Sequence, residues 1–358
     1  MGKRTYTKSG QVLAMDIGTY NTKLVVGSLD KDGITIDHTV TISTPPEAYE
    51  DGSFKNMDKL KDAIEGMLLK GHIKTKPTIC TLESTSIITR EITLPAVKAN
   101  ELKEMLEFEI QQYLPVELDQ YIIQYKILEE YQDGEGKKNN ILVAALPKGI
   151  ADGYLLLLDN LHLKPYALDI HSNTADKLFS GSCKVNNGDS LEAKTIAVID
   201  LGHKQSNVSI ISKGQFKFNR LLTMGGRDID LNISNYLDLS IEEAEMRKRA
   251  VKNIMNVDED LTSETRIISL MKSSIDHWIE ECERIFKYYM TRTTGNDIDG
   301  IYLYGGSSNI RGLDKYLEEA FNIPTCRIDQ VSKINSDKIR DIEDFSSYIN
   351  AIGAIIRR

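Results

Sequence analysis

Ala14-Met15-Asp16-Ile17-Gly18-Thr19-Tyr20-Asn21-Thr22-Lys23-Leu24-Val25 returns 184 residues later as Val198-Ile199-Asp200-Leu201-Gly202-His203-Lys204-Gln205-Ser206-Asn207-Val208-Ser209. Each copy is an apolar strand, an Asp-x-Gly, a polar turn and a second strand. One such turn is an ordinary β-turn. Two of them half a chain apart predict two similar domains, each presenting a hairpin tip. A third element follows at Ile301-Tyr302-Leu303-Tyr304-Gly305-Gly306-Ser307-Ser308-Asn309-Ile310, a strand that runs into a double glycine and then a helix.

These residue types suit phosphate. Gly18 and Gly202 let the backbone turn sharply and let amides approach a ligand. Successive N–H groups in such turns form an anion-binding nest. Thr19, Tyr20 and Asn21 on one tip, and His203, Gln205 and Ser206 on the other, surround the expected phosphate positions, with Lys23 and Lys204 adding positive charge. Asp16 and Asp200 are expected to face each other across a cleft and suit Mg²⁺, which keeps most of its waters and touches carboxylates and phosphate. Gly305 and Gly306, with Ser307 and Asn309 beyond them, permit close approach to a planar base or ribose. The competing nucleotide motifs, Gly-x-x-x-x-Gly-Lys-Ser/Thr and Gly-x-Gly-x-x-Gly, are absent, as is any His-x-x-x-His pair.

Working outward, strands are expected at residues 34–43, 78–82, 121–128, 141–146, 195–200, 208–212 and 301–304. Helices are expected at 59–69, 100–114, 155–161, 240–255, 262–292 and 313–321. Asn100 is read as a helix cap, and Ser240 with Glu243 as a capping box. The stripe Met271, Ile275, Trp278, Cys282, Ile285 and Tyr289 reads as core. The alternation of strands and helices makes the class α/β. Residues 91–165 read as an inserted helix–strand–strand–helix module. The first lobe is expected at 9–90, with 166–190 and 340–358 returning to it. The second is expected at 191–339, with 227–299 its helical insertion.

The 358 residues carry a net charge of −9, with 41% hydrophobic and 27% charged side chains. This is an ordinary globular mix with no nucleic-acid footprint. No apolar run approaches the ~18 residues of a spanning helix, and residues 1–11 lack the apolar core of a signal peptide. The expected location is therefore cytoplasmic. Cys80, Cys183, Cys282 and Cys326 form no Cys-x-x-Cys pair and are expected to be reduced thiols.

Hairpin, hairpin and strand–Gly-Gly together resemble the actin/Hsp70/sugar-kinase superfamily. The resemblance extends to Met224-Gly225-Gly226-Arg227-Asp228-Ile229-Asp230 and to Ala244-Glu245-Met246-Arg247-Lys248. It implies a two-lobed actin-like ATPase fold with duplicated mixed-sheet cores, a nucleoside contact at Gly225 and Gly226, Glu245 on the ribose and Lys248 near adenine. Within the superfamily, Ile92-Thr93-Leu94-Pro95, Glu109-Ile110-Gln111-Gln112-Tyr113-Leu114-Pro115, residues 140–148, residues 163–169 and the ending Ala351-Ile352-Gly353-Ala354-Ile355-Ile356-Arg357-Arg358 resemble the PilM family of type IV pilus and related secretion machines.

That resemblance implies ATP and Mg²⁺ as cofactors. It also implies a PilN-like membrane protein as partner, held through its cytoplasmic N-terminal peptide in a groove near Arg90, Gln112, Tyr113 and Pro115. A pilus assembly ATPase is a further implied partner and self-association is open. The chain is expected to sit peripherally at the inner face of the membrane through its partners, without inserting itself. His203-Lys204-Gln205 departs from the small residues more usual in the family. Neither Asp169 nor His171 fits a sharp catalytic-base motif, which implies slow hydrolysis or none. The alternatives are an FtsA-like division protein, which would carry a C-terminal amphipathic tail where this sequence ends at Arg358, and a small-molecule kinase of the superfamily.

Overall fold

The computed structural model describes residues 10–113, 117–134, 136–256, 262–292, 297–335, 342 and 344–357. The first half contains β1 (Val12–Ile17), β2 (Asn21–Asp30), β3 (Gly33–Ser43), the short hairpin β4 (Tyr49–Glu50) and β5 (Ser53–Phe54), α1 (Met57–Lys70) and β6 (Pro77–Leu82). It continues through β7 (Ile88–Pro95), α2 (Ala99–Tyr113), β8 (Tyr121–Asp133), β9 (Gly136–Pro147), α3 (Lys148–Asn160), β10 (Lys164–Ile170) and α4 (His171–Phe179). The second half contains β11 (Thr195–Leu201), β12 (Ser206–Ser212), β13 (Gln215–Leu222), α5 (Gly226–Leu237), α6 (Ile241–Ala250), α7 (Ser263–Arg292), β14 (Gly300–Tyr304), α8 (Leu313–Phe321), β15 (Thr325–Arg327) and α9 (Ile349–Ile355).

The sequence repeat is a repeat of topology. One sheet runs β3-β2-β1-β6-β10 and the other β13-β12-β11-β14-β15. In both, the first three strands are antiparallel neighbours and the next two add in parallel. The register matches as well. Asp16 pairs with Lys23 and Thr81, and Asp200 with Asn207 and Tyr304.

Side chains alternate across each central strand. Val12 and Ala14 face one way, together with Ile196 and Val198 of β11, into a core shared by both lobes and filled by α4 and α9. Gly353 of α9 is needed there, because a Cβ would meet the Thr174 carbonyl of α4 at 2.6 Å. Leu13, Met15 and Ile17 face the other way onto α1 and α3. Ala197 and Ile199 face α5 and the α7 stripe of Met271, Ile275, Trp278, Cys282, Ile285 and Tyr289, all buried as expected.

Between β6 and β10, a three-stranded sheet β7-β9-β8 packs against Leu102, Leu106 and Ile110 of α2. The order helix–strand–strand–helix is present here, but the packing sets different limits from residues 91–165. β7 joins the sheet from Ile88 onward, and Tyr154, Leu157 and Leu158 of α3 pack in the first lobe's core. The β8–β9 pairing continues out to Asp133 and Gly136, beyond the strands expected at 121–128 and 141–146. Asn100 lies inside the first turn of α2, where the Lys98 carbonyl accepts from the Leu102 amide, and is not a cap. The capping box of Ser240 and Glu243 is formed. Residues 182–193, which span the limit expected between the lobes at 190 and 191, bury Cys183, Val185 and Leu191 in the shared core.

Candidate functional site

The two Asp-x-Gly turns close the same way. The Gly18 amide donates to the Asn21 carbonyl at 3.0 Å, and the Gly202 amide to the Gln205 carbonyl at 3.1 Å. A Cβ on Gly18 would stand 2.9 Å from that carbonyl, and one on Gly202 would stand closer still. Glycine is therefore a steric need at both tips. The tips face a single cavity of about 510 Å³ between the lobes.

That cavity gathers most of the residues expected from sequence. Asp16, Gly18, Thr19, Tyr20, Asn21 and Lys23 line it from the first hairpin, and Asp200, Gly202, His203, Lys204 and Gln205 from the second. Gly226, Glu245, Lys248, Gly305, Gly306, Ser307 and Asn309 complete the wall. Gly305 adopts φ +87°, and a Cβ on Gly306 would meet open space. Gly225 supports the wall from behind: its Cβ would collide with the carbonyls of Gly202 and His203. The Gly226 amide and the Ser307 hydroxyl both donate to the Gly202 carbonyl, at 3.0 and 2.8 Å.

The expected partner-groove residues lie elsewhere. Arg90 is exposed on β7, Gln112 and Tyr113 end α2, and Pro115 lies outside the described residues.

The cleft floor is an alternating set of charges. Asp16 accepts from Lys23 at 3.3 Å, Thr81 at 3.1 Å and His171 Nε2 at 3.0 Å. His171 Nδ1 stands 3.7 Å from Asp200, which accepts from Asn350 at 2.7 Å. Burial works against a charged imidazole, yet the Asp16 carboxylate moves His171 up to about 9. Burial likewise opposes ionisation of Asp16, and Lys23 and His171 overcome it and hold the group well below the usual range. Asp200 is pushed up by burial, which His171 and Asn350 only partly offset. His171 thus joins the aspartates that were expected to face each other directly. Asp169 turns away from the cavity into an ion pair with Lys177 at 2.5 Å.

Glu83 was missed by the sequence reading. It follows β6 without a local motif, and it reaches the floor because β6 runs parallel to β1. Its Oε2 accepts from Asn207 at 2.6 Å, across the lobes, and burial pushes it up to about 7.

Direct contacts close the cleft mouth. Tyr20 donates to Glu245 at 2.5 Å and receives a bond from Arg249 at 3.0 Å. Lys204 pairs with Glu50 at 2.5 Å, and Gln205 donates to Asp51 at 2.8 Å. Lys248 binds Asp230 at 2.7 Å and the Gly226 carbonyl at 3.2 Å. The cations expected at phosphate and adenine thus have carboxylate partners in this arrangement. His203 stacks near Tyr20 with centroids 4.9 Å apart, and burial, with Lys248 and Arg227 adding to it, takes it down to about 4, so it is neutral at pH 7.

Residues 14–358 match the model of the type IV pilus assembly protein PilM family. The chain belongs to the PilM family. Among solved structures, this PilM-family chain is similar to a PilM–PilN type IV pilus biogenesis complex, with a TM-score of 0.79 at 19% identity, covering 97% of this chain and 98% of the other. It also resembles the ethanolamine utilization protein EutJ of Carboxydothermus hydrogenoformans (TM-score 0.56, 12% identity, 98% and 91% covered). MreB 5 of Spiroplasma citri bound to AMPPNP gives a TM-score of 0.51 at 12% identity, with 98% and 95% covered. The fold is the actin-like ATPase fold.

Two curated relatives share sequence with it. The cell division protein FtsA of Bacillus subtilis (strain 168) is 23% identical over 277 residues, 72% of this chain and 61% of that protein. A chaperone protein HscA homolog of Rickettsia prowazekii (strain Madrid E) is 32% identical over 156 residues, 39% of this chain and 25% of that protein. The chain thus spans less than two thirds of either curated relative. Among the described residues, no helix is long and apolar enough to cross a membrane.

Proposed function

We propose that this PilM-family chain is a nucleotide-controlled scaffold of a type IV pilus or related secretion machine. It binds ATP with Mg²⁺ between its lobes and holds the N-terminal cytoplasmic segment of a PilN-like membrane protein, linking it to the assembly ATPase at the inner face of the membrane. The observation that carries the reading is the convergence of two equivalent glycine turns and a double glycine on one cavity of about 510 Å³. Amides at the tips take phosphate oxygens, Lys23 stands beside them, and the open face of Gly306 receives the nucleoside. The MreB 5 neighbour is bound to AMPPNP, which agrees with this use of the fold.

The donor set fits Mg²⁺. Asp200 is acceptor-only when ionised, and its Oδ1 accepts no hydrogen bond among the described residues. Asp16 already accepts from three donors, so Asp200 is the better ligand of the two. The bound ion would neutralise phosphate charge while keeping most of its waters. Glu245 meets Tyr20 and Arg249 through Oε1, so its Oε2 is the oxygen that would meet a ribose.

For the partner, the support is the family and the PilM–PilN neighbour. A groove between the first lobe and the β7-β9-β8 sheet, near Arg90, Gln112, Tyr113 and Pro115, would take an extended peptide through main-chain hydrogen bonds and a few side-chain pockets. The test is capture of N-terminal peptides of PilN-like proteins with and without Mg·ATP. The expected result is an affinity that shifts with nucleotide and, reciprocally, a nucleotide affinity that shifts with peptide. Peptide binding by a protein lacking residues 88–147 would place the partner site elsewhere.

A further inference from the structure

The two sheets are built to the same register, so their cleft-facing positions can be matched. Asp16 pairs with Thr81 as Asp200 pairs with Tyr304. Two residues beyond each partner stand Glu83 and Gly306. Gly306 leaves its place open, whereas Glu83 fills the equivalent place in the first lobe with a carboxyl that lines the cavity. Asp16 has Lys23 and His171 against it, and Asp200 has His171 within 3.7 Å. Glu83 has no Lys, Arg or His within ion-pair reach among the described residues. Its contacts are the Asn207 amide at 2.6 Å and the Ser84 amide at 3.3 Å. His171 cannot accept a proton while Asp16 holds it charged, and Asp169 is committed to Lys177.

We propose that Glu83 is the general base for hydrolysis of a nucleoside triphosphate held in this cleft. The inference rests on the nucleotide reading of the cavity. The oxygen of a water bonds to the terminal phosphorus, the bond from that phosphorus to the bridging oxygen breaks, and Glu83 takes the proton of the water. Nucleoside diphosphate and inorganic phosphate leave. Asn207, the second residue of β12 behind the second tip, fixes the Glu83 carboxyl from the opposite lobe, so the base is set when the lobes are closed. Burial holding Glu83 near 7 agrees with proton transfer at neutral pH, where His171 and Asp200 are the titratable groups facing it.

The test pairs nucleotide affinity, by titration of a fluorescent ATP analogue, with single-turnover hydrolysis of ATP by the full chain. Wild type binds and hydrolyses slowly. Glu83→Gln keeps the hydrogen-bonding shape, binds within about 3-fold, and hydrolyses about 100-fold or more slowly, within the usual range for a lost general base. Glu83→Asp, which withdraws the carboxylate, keeps affinity and loses about 10-fold or more in turnover, and reports independently if the first variant does not fold. Bound ATP that wild type leaves intact, or Glu83→Gln turnover equal to wild type, overturns the proposal. Parallel loss of affinity and turnover also overturns it, because Glu83 would then only hold the lobes together. No ATP binding by wild type defeats the reading of the cleft itself.

Discussion

The first hairpin places Lys23 opposite Asp16; the second, built to the same register, places Asn207 opposite Asp200. A cation on one strand and a neutral amide on the other make two copies of one turn chemically unequal. Asp16 is neutralised within its own hairpin. Asp200 meets His171 and Asn350, both through Oδ2. Asn207, released from pairing with its aspartate, reaches Glu83 in the other lobe at 2.6 Å. The two tips share one build, and single positions set them apart: the first carries a cation beside its aspartate, and the second carries an amide that holds Glu83.

The largest expected effect comes from the wall both tips share. Gly306→Phe places a ring in open space, so the protein should fold with a near-normal melting temperature. Its affinity for Mg·ATP should fall by at least about 100-fold, or about 2.7 kcal/mol. Unchanged affinity would mean that the nucleoside does not use this wall.

Next in size is the asymmetry itself. Lys23→Ala leaves a buried carboxylate short of its cation and should cost about 3 kcal/mol in denaturant unfolding. Asn207→Ala removes hydrogen bonds to Glu83, Asn219 and Ser209 but no cation, and should cost about 1–2 kcal/mol. Equal losses would erase the distinction drawn between the hairpins.

A third effect belongs to the imidazole between them. His171 titrates at about 9 in the folded state against 6.5 when unfolded. The folded protein therefore binds the proton more tightly. The resulting stability is fully present below pH 6.5 and is lost as pH rises through about 9. The unfolding free energy followed from pH 6 to 9.5 should fall by on the order of 3 kcal/mol, and His171→Gln should flatten that slope. A wild-type curve already flat across this interval would contradict the charged imidazole.

The smallest effect lies at the exposed rim. Lys204→Ala breaks the pair with Glu50 and should cost about 0.5 kcal/mol or less, fading at high salt.

The hairpins, their glycines and the duplicated sheets were legible because a turn that needs glycine leaves a local trace, and the trace occurs twice. The burial stripe of α7 was legible through its helical period. The capping box of Ser240 and Glu243 was legible through its spacing. Glu83 and His171 left no such trace. Each is a single residue at the end of a strand or the start of a helix. They reach the cleft floor only through strand pairing across tens of residues, and side-chain type alone does not encode that. The strands expected at 121–128 and 141–146 are present, and only the outer part of the β8–β9 arm escaped, for a different reason. Periodicity reports burial, and an arm standing in solvent offers polar residues on both faces. The limits of the inserted module blurred because α3 carries an apolar face that fits either neighbour, and only packing assigns it to the first lobe's core.

Calorimetric titration of Mg·ATP into the purified chain, with Asp200→Asn as its control, reads directly whether the cleft holds a nucleotide. Saturable one-to-one binding is expected in wild type, made much weaker by chelating Mg²⁺ and by Asp200→Asn while both proteins stay folded. The absence of binding heat and of any thermal shift at millimolar Mg·ATP in a folded wild-type protein would contradict it.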